Sequence, residues 1–281
     1  MTDCSDWIGR QERRTDRIDP ALATRWLATF DLPEPANGIM PPGIHFCLCT
    51  PDAPTAQLGA DGHPLRDNGP GGFLPPIPLP RRMWAASAIV FHAPLAIGQT
   101  VERISTIASI TQKTGNTGPL AFVEIDHATS ADGTLAITER QTLVYRDAAA
   151  ADAPLQPPAP GPDAFAGDAW DRHRTVTPDA RSLFRYSALT FNTHRIHYDA
   201  PYARDVERYR GLVVHGPLIA SLAMQMTPCN GDLRTFAFRA LSPAIADEPL
   251  HLVTRDVGGA TEFGAFTDDG RQTFRADATF N

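Results

Sequence analysis

Residues 148 to 167 read AAAADAPLQPPAPGPDAFAG, a stretch through which no regular element can run. Its prolines fix φ and lack the N–H that a helix or inner strand needs, and its alanines offer no apolar period. The segment divides the chain into residues 1–147, a linker over 148–169, and residues 170–281. Each part beyond the linker has the size of an ordinary domain, large enough to bury its own core.

The two parts repeat one order of elements. In the first, Pro20 to Leu32 has helical apolar spacing and Ile44 to Leu48 is a short apolar segment. Four strand-like runs follow, Trp84–Ala93, Glu102–Gln112, Leu120–Ser130 and Leu135–Arg146, parted by turn signals at Gly115-Asn116-Thr117-Gly118 and Asp132-Gly133. In the second, Thr177-Pro178-Asp179 opens a helix into ARSLFRYSAL. An apolar helix over Leu218–Met226 comes next, then strands near Arg234–Leu241, Leu250–Val257, Thr261–Thr267 and Gln272–Phe280. Helices followed by a four-stranded antiparallel meander, twice over, predict a tandem α+β protein with a sheet wrapped on a helix in each half. Pro51 to Arg82, rich in proline and glycine, reads as a long loop inside the first half, and loops of that length are usually functional or mobile.

Composition narrows the function classes. A net charge of −7 opposes general nucleic-acid affinity, and Lys113 is the single lysine, so positive charge is almost all arginine. No run of about 18 apolar residues occurs and no apolar core follows the basic N-terminal residues, so neither a membrane span nor a secretory leader is expected. A cytoplasmic protein is the expectation. Four cysteines, Cys4, Cys47, Cys49 and Cys229, fit neither a disulfide framework nor a paired metal set, and Cys47 and Cys49 read as packing residues. Gly69-Pro70-Gly71-Gly72 is broken by proline before any helix, so no nucleotide-binding loop is expected.

The chemistry concentrates in Phe191-Asn192-Thr193-His194-Arg195-Ile196-His197-Tyr198-Asp199, with Val214-His215-Gly216-Pro217-Leu218 downstream. This pattern resembles the MaoC-like, R-specific enoyl-CoA hydratases and dehydratases. There an acidic residue precedes Asn-Pro-x-His-x-Asp, and a His-Gly pair opens the central helix of a hot-dog fold. Here Asn192 stands at the acidic position, His194 at the asparagine and Arg195 at the proline. The Phe-Asn-x-His-Arg-Ile-His-Tyr-Asp form is similar to a narrower branch, that of itaconyl-CoA and mesaconyl-C4-CoA hydratases and the mitochondrial 3-hydroxyacyl-thioester dehydratase. Pro78 to Trp84 and Glu139 to Arg146 resemble that branch's N-terminal, non-catalytic repeat.

The resemblance implies a double hot-dog hydro-lyase that takes an acyl-CoA as substrate and needs no separate cofactor or metal. A short dicarboxylic acyl-CoA is the first expected substrate, a straight-chain 3-hydroxyacyl thioester the second, and a non-catalytic thioester-binding subunit the third reading. No nucleic-acid or membrane partner is implied, and a homodimer is a possible assembly.

The residues support roles of their own. Hydration of an α,β-unsaturated thioester needs a base for water, an acid for the α-carbon and donors for the enolate oxygen. His197 can carry protons near neutrality; Asn192 cannot, but its amide can hold a water. Pro217 suits a first helical turn, leaving N–H groups at the helix's positive end, and the resemblance gives Gly216 as the main oxyanion donor. Arg195 is the candidate for CoA phosphate or a substrate carboxylate, and His215 either backs the helix start or touches substrate. His194 reads first as structural and is counted with those two among the candidates for substrate contact. Asp199 is read as the N-cap of a helix from Ala200 to about Tyr209.

Overall fold

The structure, a computed structural model, describes residues 4–67, 69, 72–115, 118–227 and 233–281. Cys229, the Pro70-Gly71 pair and the centre of the turn at Asn116-Thr117 lie outside the described residues.

The first half runs β1 (Gln11–Arg17), α1 (Pro20–Thr29), β2 (Arg81–Phe91), β3 (Thr100–Gly115), β4 (Gly118–Ala131) and β5 (Thr134–Arg146). The second runs β6 (Arg172–Val176), α2 (Ala180–Thr190), α3 (Ala200–Asp205), α4 (Gly216–Met224), β7 (Leu233–Ala240), β8 (Leu250–Val257), β9 (Ala260–Thr267) and β10 (Gln272–Phe280). All ten strands form one antiparallel sheet in the order β1-β3-β4-β5-β2-β7-β10-β9-β8-β6. Read inward from each edge, the halves have the same topology, 1-3-4-5-2 and 6-8-9-10-7. They join where β2 pairs with β7, from Ala86 opposite Arg239 to Val90 opposite Thr235.

Two strands are absent from the sequence reading, β1 and β6, the outer edges of the sheet. Gln11–Arg17 is QERRTDR, with no apolar residue to mark a period, and it pairs through main chain along β3 from Gln11–Thr106 to Arg17–Thr100. Charged edge strands of this kind resist pairing with other chains. The apolar segment at Ile44–Cys47 forms only a single 3-10 turn, so the first repeat lacks a full central helix. Cys49 at positive φ and Pro51 close that turn before a helix can propagate.

Nor does each half keep a core to itself. Trp26 and Phe46 of the first half lie in one contiguous apolar cluster with Tyr186, Leu218, Phe236 and Phe263 of the second. A smaller cluster on the first half's strands joins Ile107, Val123 and Tyr145 to Ile77 and Leu79, so the end of the 51–82 loop covers it. The Ala/Pro-rich segment lies against the second half. Gln156 bridges to Tyr209, and Phe165 stacks on His251 with ring centroids 4.6 Å apart. No helix among the described residues is long and apolar enough to cross a membrane.

Candidate active site

Helix α2 starts on a capping box between Asp179 and Ser182 and ends at Phe191, whose left-handed φ of 48° turns the chain out of the helix. Asn192 then accepts the His194 N–H on its side-chain oxygen at 3.0 Å. That bond fixes the turn through Arg195–His197 and commits one lone pair of an amide read from sequence as a water holder. Asp199 caps α3 by accepting from Tyr202 N at 3.0 Å, and the helix is shorter than expected, ending at Asp205.

His197 is buried, and its Nδ1 lies 2.7 Å from the carbonyl oxygen of Val213. A carbonyl can only accept, so Nδ1 carries the hydrogen and Nε2 keeps the lone pair of the neutral ring. His215 stacks on it, centroids 3.5 Å apart and planes within 17° of parallel, while its own Nε2 meets Ser187 Oγ at 2.9 Å. Burial, with the neighbouring imidazoles second, holds His197 well below the usual histidine range; burial pushes His215 down to about 3.

His215 is also the residue before α4, and it supplies no side-chain cap. The N–H groups of the first turn, Gly216's among them, are therefore free of a capping side chain at the positive end of the helix. A Cβ built on Gly216 would meet only Trp84 O of β2, at 4.0 Å. The first half thus faces this helix end across an open approach.

His194 extends the group toward the first half. Its ring lies 5.6 Å from that of His197, edge to face, and 4.1 Å from that of His63. Its Nε2 is 3.5 Å from Glu207 Oε1, and Glu207 in turn pairs with Arg81 of β2 at 2.6 Å. Glu207 and Arg81 are 7% and 9% exposed, so each charge depends on the other. Burial alone would raise the Glu207 carboxyl, but the His194 contact and the Arg81 charge outweigh it and hold the group below its usual range.

The 51–82 loop supplies residues that the sequence reading did not single out. Asp61 pairs with His63 Nδ1 at 2.9 Å, and burial pushes His63 down to about 4. The loop is clamped to the motif: Arg195 N donates to Asp61 O at 2.9 Å, and Thr193 Oγ1 donates to Gly62 O at 2.5 Å. A Cβ on Gly62, at φ +89°, would stand 1.8 Å from Thr193 O, so only glycine allows this approach. A loop of 32 residues was the available signal; which of its residues would matter was not encoded in any period.

Arg195, expected to receive a phosphate or carboxylate, is occupied. Its guanidinium binds Asp199 at 2.7 and 3.0 Å, donates to Ala60 O at 2.9 Å and lies over the Tyr202 ring. It ties the loop to the motif. The neighbouring cavity, about 350 Å³, is instead lined by Arg66, Arg81, Arg82, Asp61, His63 and Glu207. His197, Asn192 and Gly216 do not line it; His194 stands between. Ligand atoms of Asp61, His63 and His194 lie within 4.8 Å of one another, but a divalent cation there would face three arginines, and His63 already gives its Nδ1 to Asp61.

Two fused hot-dog sheets, with a buried histidine beside an uncapped helix start, define a double hot-dog protein of the MaoC-like hydro-lyase class. Residues 43–246 match the family of hydroxyacyl-thioester dehydratases type 2. A mesaconyl-C(4)-CoA hydratase of Chloroflexus aurantiacus is 44% identical over 275 residues, covering 96% of this chain and 95% of that one. The mitochondrial hydroxyacyl-thioester dehydratase type 2 of Schizosaccharomyces pombe is 28% identical over 248 residues, covering 77% and 78%. In fold, a MaoC-like dehydratase of Phytophthora capsici superposes with a TM-score of 0.73 at 11% identity, over 100% of this chain and 98% of that one. A double hot-dog protein of Mycobacterium tuberculosis does so at 0.58 and 13% identity, over 97% and 96%. The chain belongs to the hydroxyacyl-thioester dehydratase type 2 family.

Proposed function

We propose that the protein reversibly adds water across the double bond of an enoyl-CoA thioester, with a short dicarboxylic acyl-CoA of the itaconyl or mesaconyl type as substrate. The observation that carries the reaction type is the tautomer of His197. The Val213 carbonyl holds the hydrogen on Nδ1, leaving Nε2 as a buried base beside an uncapped helix start. That base takes a proton from water as the water oxygen bonds the β-carbon. The thioester oxygen gathers charge at the Gly216 N–H, where the helix end stabilises it. Asn192 holds the water through its amide, and His215 packs behind His197 and fixes its plane. These steps are acid–base and electrostatic, so the thioester itself suffices and no cofactor is called on.

Support for a carboxylated substrate comes from the cavity and from the 44% identical relative, which is a mesaconyl-C4-CoA hydratase. Arg81 is matched by Glu207, and Arg66 donates to the carbonyls of Ile77, Leu79 and Pro80. Arg82 makes no ion pair among the described residues, and the three arginines of the cavity outnumber the carboxylates of Asp61 and Glu207, which favours an anionic ligand. Hydration rates measured across enoyl-CoAs with and without a terminal carboxylate test both parts. Mesaconyl- or itaconyl-CoA should lead in kcat/KM. Preference for crotonyl-CoA would move the assignment to straight-chain substrates, and inertness toward every enoyl-CoA would leave a thioester-binding protein.

A further inference from the structure

Addition of water needs two proton carriers, one for the water and one for the α-carbon; His197 is one, and Asn192, an amide at the acidic position, is not the other. The side chains around His197 show where the second lies. His215 is closest, but it stacks face to face on His197 and its Nε2 is taken up with Ser187, so it backs the ring. His63 is turned toward Asp61, and the ring it packs on is that of His194. His194 meets His197 edge to face, at 5.6 Å, and is set against a buried carboxylate.

We propose that His194, oriented by Glu207, is the second catalytic acid–base group, filling the role that Asn192 cannot. This rests on the hydration reading above. Glu207 is a positioning residue: Arg81 keeps it ionised inside the protein, and its Oε1 fixes the His194 ring as the buried carboxylate of a hydrolase triad fixes its histidine. The remaining titratable and charged groups facing His194 are His63 and Asp61 from the loop, Arg82 beside them, and His197 and His215 on its own side. Glu207 is the one carboxylate in contact with its ring nitrogen among the described residues.

The reaction then balances. Nε2 of neutral His197 takes a proton from water while the water oxygen bonds the β-carbon, and the π pair moves onto the thioester as an enolate. That pair returns to bond the α-carbon to a proton delivered by His194, whose Nε2 is set against Glu207. The proton on His197 passes to His194 and restores both rings. One water is consumed and no proton is gained or lost.

The test uses the full-length protein and its best enoyl-CoA substrate. Wild-type kcat should depend on two titrating groups, which titrate as a pair. His194→Asn should lower kcat by roughly 10²–10⁴-fold, the usual contribution of an acid–base group, with KM little changed and one limb of the pH profile gone. Placing a carboxylate two residues away, in the double variant Asn192→Asp/His194→Asn, should restore about tenfold or more and return the second limb. Glu207→Gln should lower kcat by at least about tenfold and shift the His194 limb, with the thermal midpoint recorded alongside. A single titrating limb in the wild type overturns the proposal, as does a His194→Asn enzyme within about twofold of wild type. A loss in that variant which the added carboxylate of the double variant does not relieve, and which leaves the pH profile unaltered, assigns His194 a structural role and overturns it too. A wild type that hydrates no enoyl-CoA fails earlier, at the reading on which this rests.

Discussion

His197 and His215 lie ring on ring, centroids 3.5 Å apart, so a proton on one opposes a proton on the other. Both are buried, and burial dominates in depressing both. His45, His63 and His127 are likewise held down by burial, to about 3, 4 and 4. Above pH ~6.5 these rings are neutral whether the chain is folded or not, and they place no pH dependence on stability. Below it the unfolded chain binds protons that the folded chain refuses, so stability is lost as pH falls from about 6.5 toward 4. Glu139 acts oppositely: burial raises it to about 6, so between its ordinary 4.5 and 6 the folded state takes a proton first. One carboxyl does not offset five imidazoles. Thermal melts should therefore show a midpoint that falls as pH drops from about 6.5 to about 5, and a midpoint flat over that range would contradict the burial of these rings.

The tautomer fixed by Val213 makes His197 and Asn192 separable by mutation. His197→Ala removes the group that takes the proton and should lower turnover by roughly 10²–10⁴-fold at every pH. Asn192→Ala removes an amide whose oxygen also holds the His194 N–H, so it loosens the turn without removing a titrating group. Measurable activity with an unchanged pH profile is expected of it. The pair of profiles, recorded on one substrate, decides whether Asn192 carries a proton.

Gly216 stands at the start of α4 outside the left-handed region and with 4.0 Å between a built Cβ and Trp84 O, so the protein itself tolerates a side chain there. Gly216→Val should fold with a thermal midpoint close to wild type while its branched side chain fills the approach to the helix end. Turnover should fall by roughly 10²-fold or more, the scale of losing an oxyanion donor. Steady-state assays on the folded variant check this, and near-normal turnover would take the helix end out of the reaction.

What could be read in the chain follows the reach of each signal. The inner strands and helices α1 and α4 carry apolar signals, and Gln272–Phe280 and Leu250–Val257 fall where those signals place them. Gln11–Arg17 and Arg172–Val176 do not, because an edge strand held by main-chain pairing needs no apolar face. Within the motif, Asp199 is a helix cap as its Asp-Ala-Pro context implies, and His197 and His215 meet in space as their spacing allows. Glu207, Arg81 and the Asp61-Gly62-His63 segment were not legible as parts of the site. Glu207 meets His194 across 13 positions of chain, His63 meets it across 131, and Arg81 reaches it through Glu207; such contacts leave no local pattern.

Arg195 and Arg82 exchange the roles that sequence position alone would give them, and mutation can tell them apart. Arg195 lies inside the motif, yet its guanidinium is taken by Asp199 and the Ala60 carbonyl and stacked on Tyr202. Removing it loosens the clamp between loop and motif, which Gly62 makes tight, so Arg195→Gln should weaken turnover of every enoyl-CoA to a similar degree. Arg82 lines the cavity beside His63 and forms no ion pair among the described residues; its charge contributes to holding His63 down. A carboxylate held there gains a charge-assisted hydrogen bond, worth about 1.5–3 kcal/mol, so Arg82→Gln should raise KM for a dicarboxylic enoyl-CoA by roughly 10–10²-fold. Crotonyl-CoA, with no second carboxylate, should keep its KM within about twofold, since nothing in it meets the lost cation. Equal effects on the two substrates would place Arg82 in general architecture and send the carboxylate elsewhere.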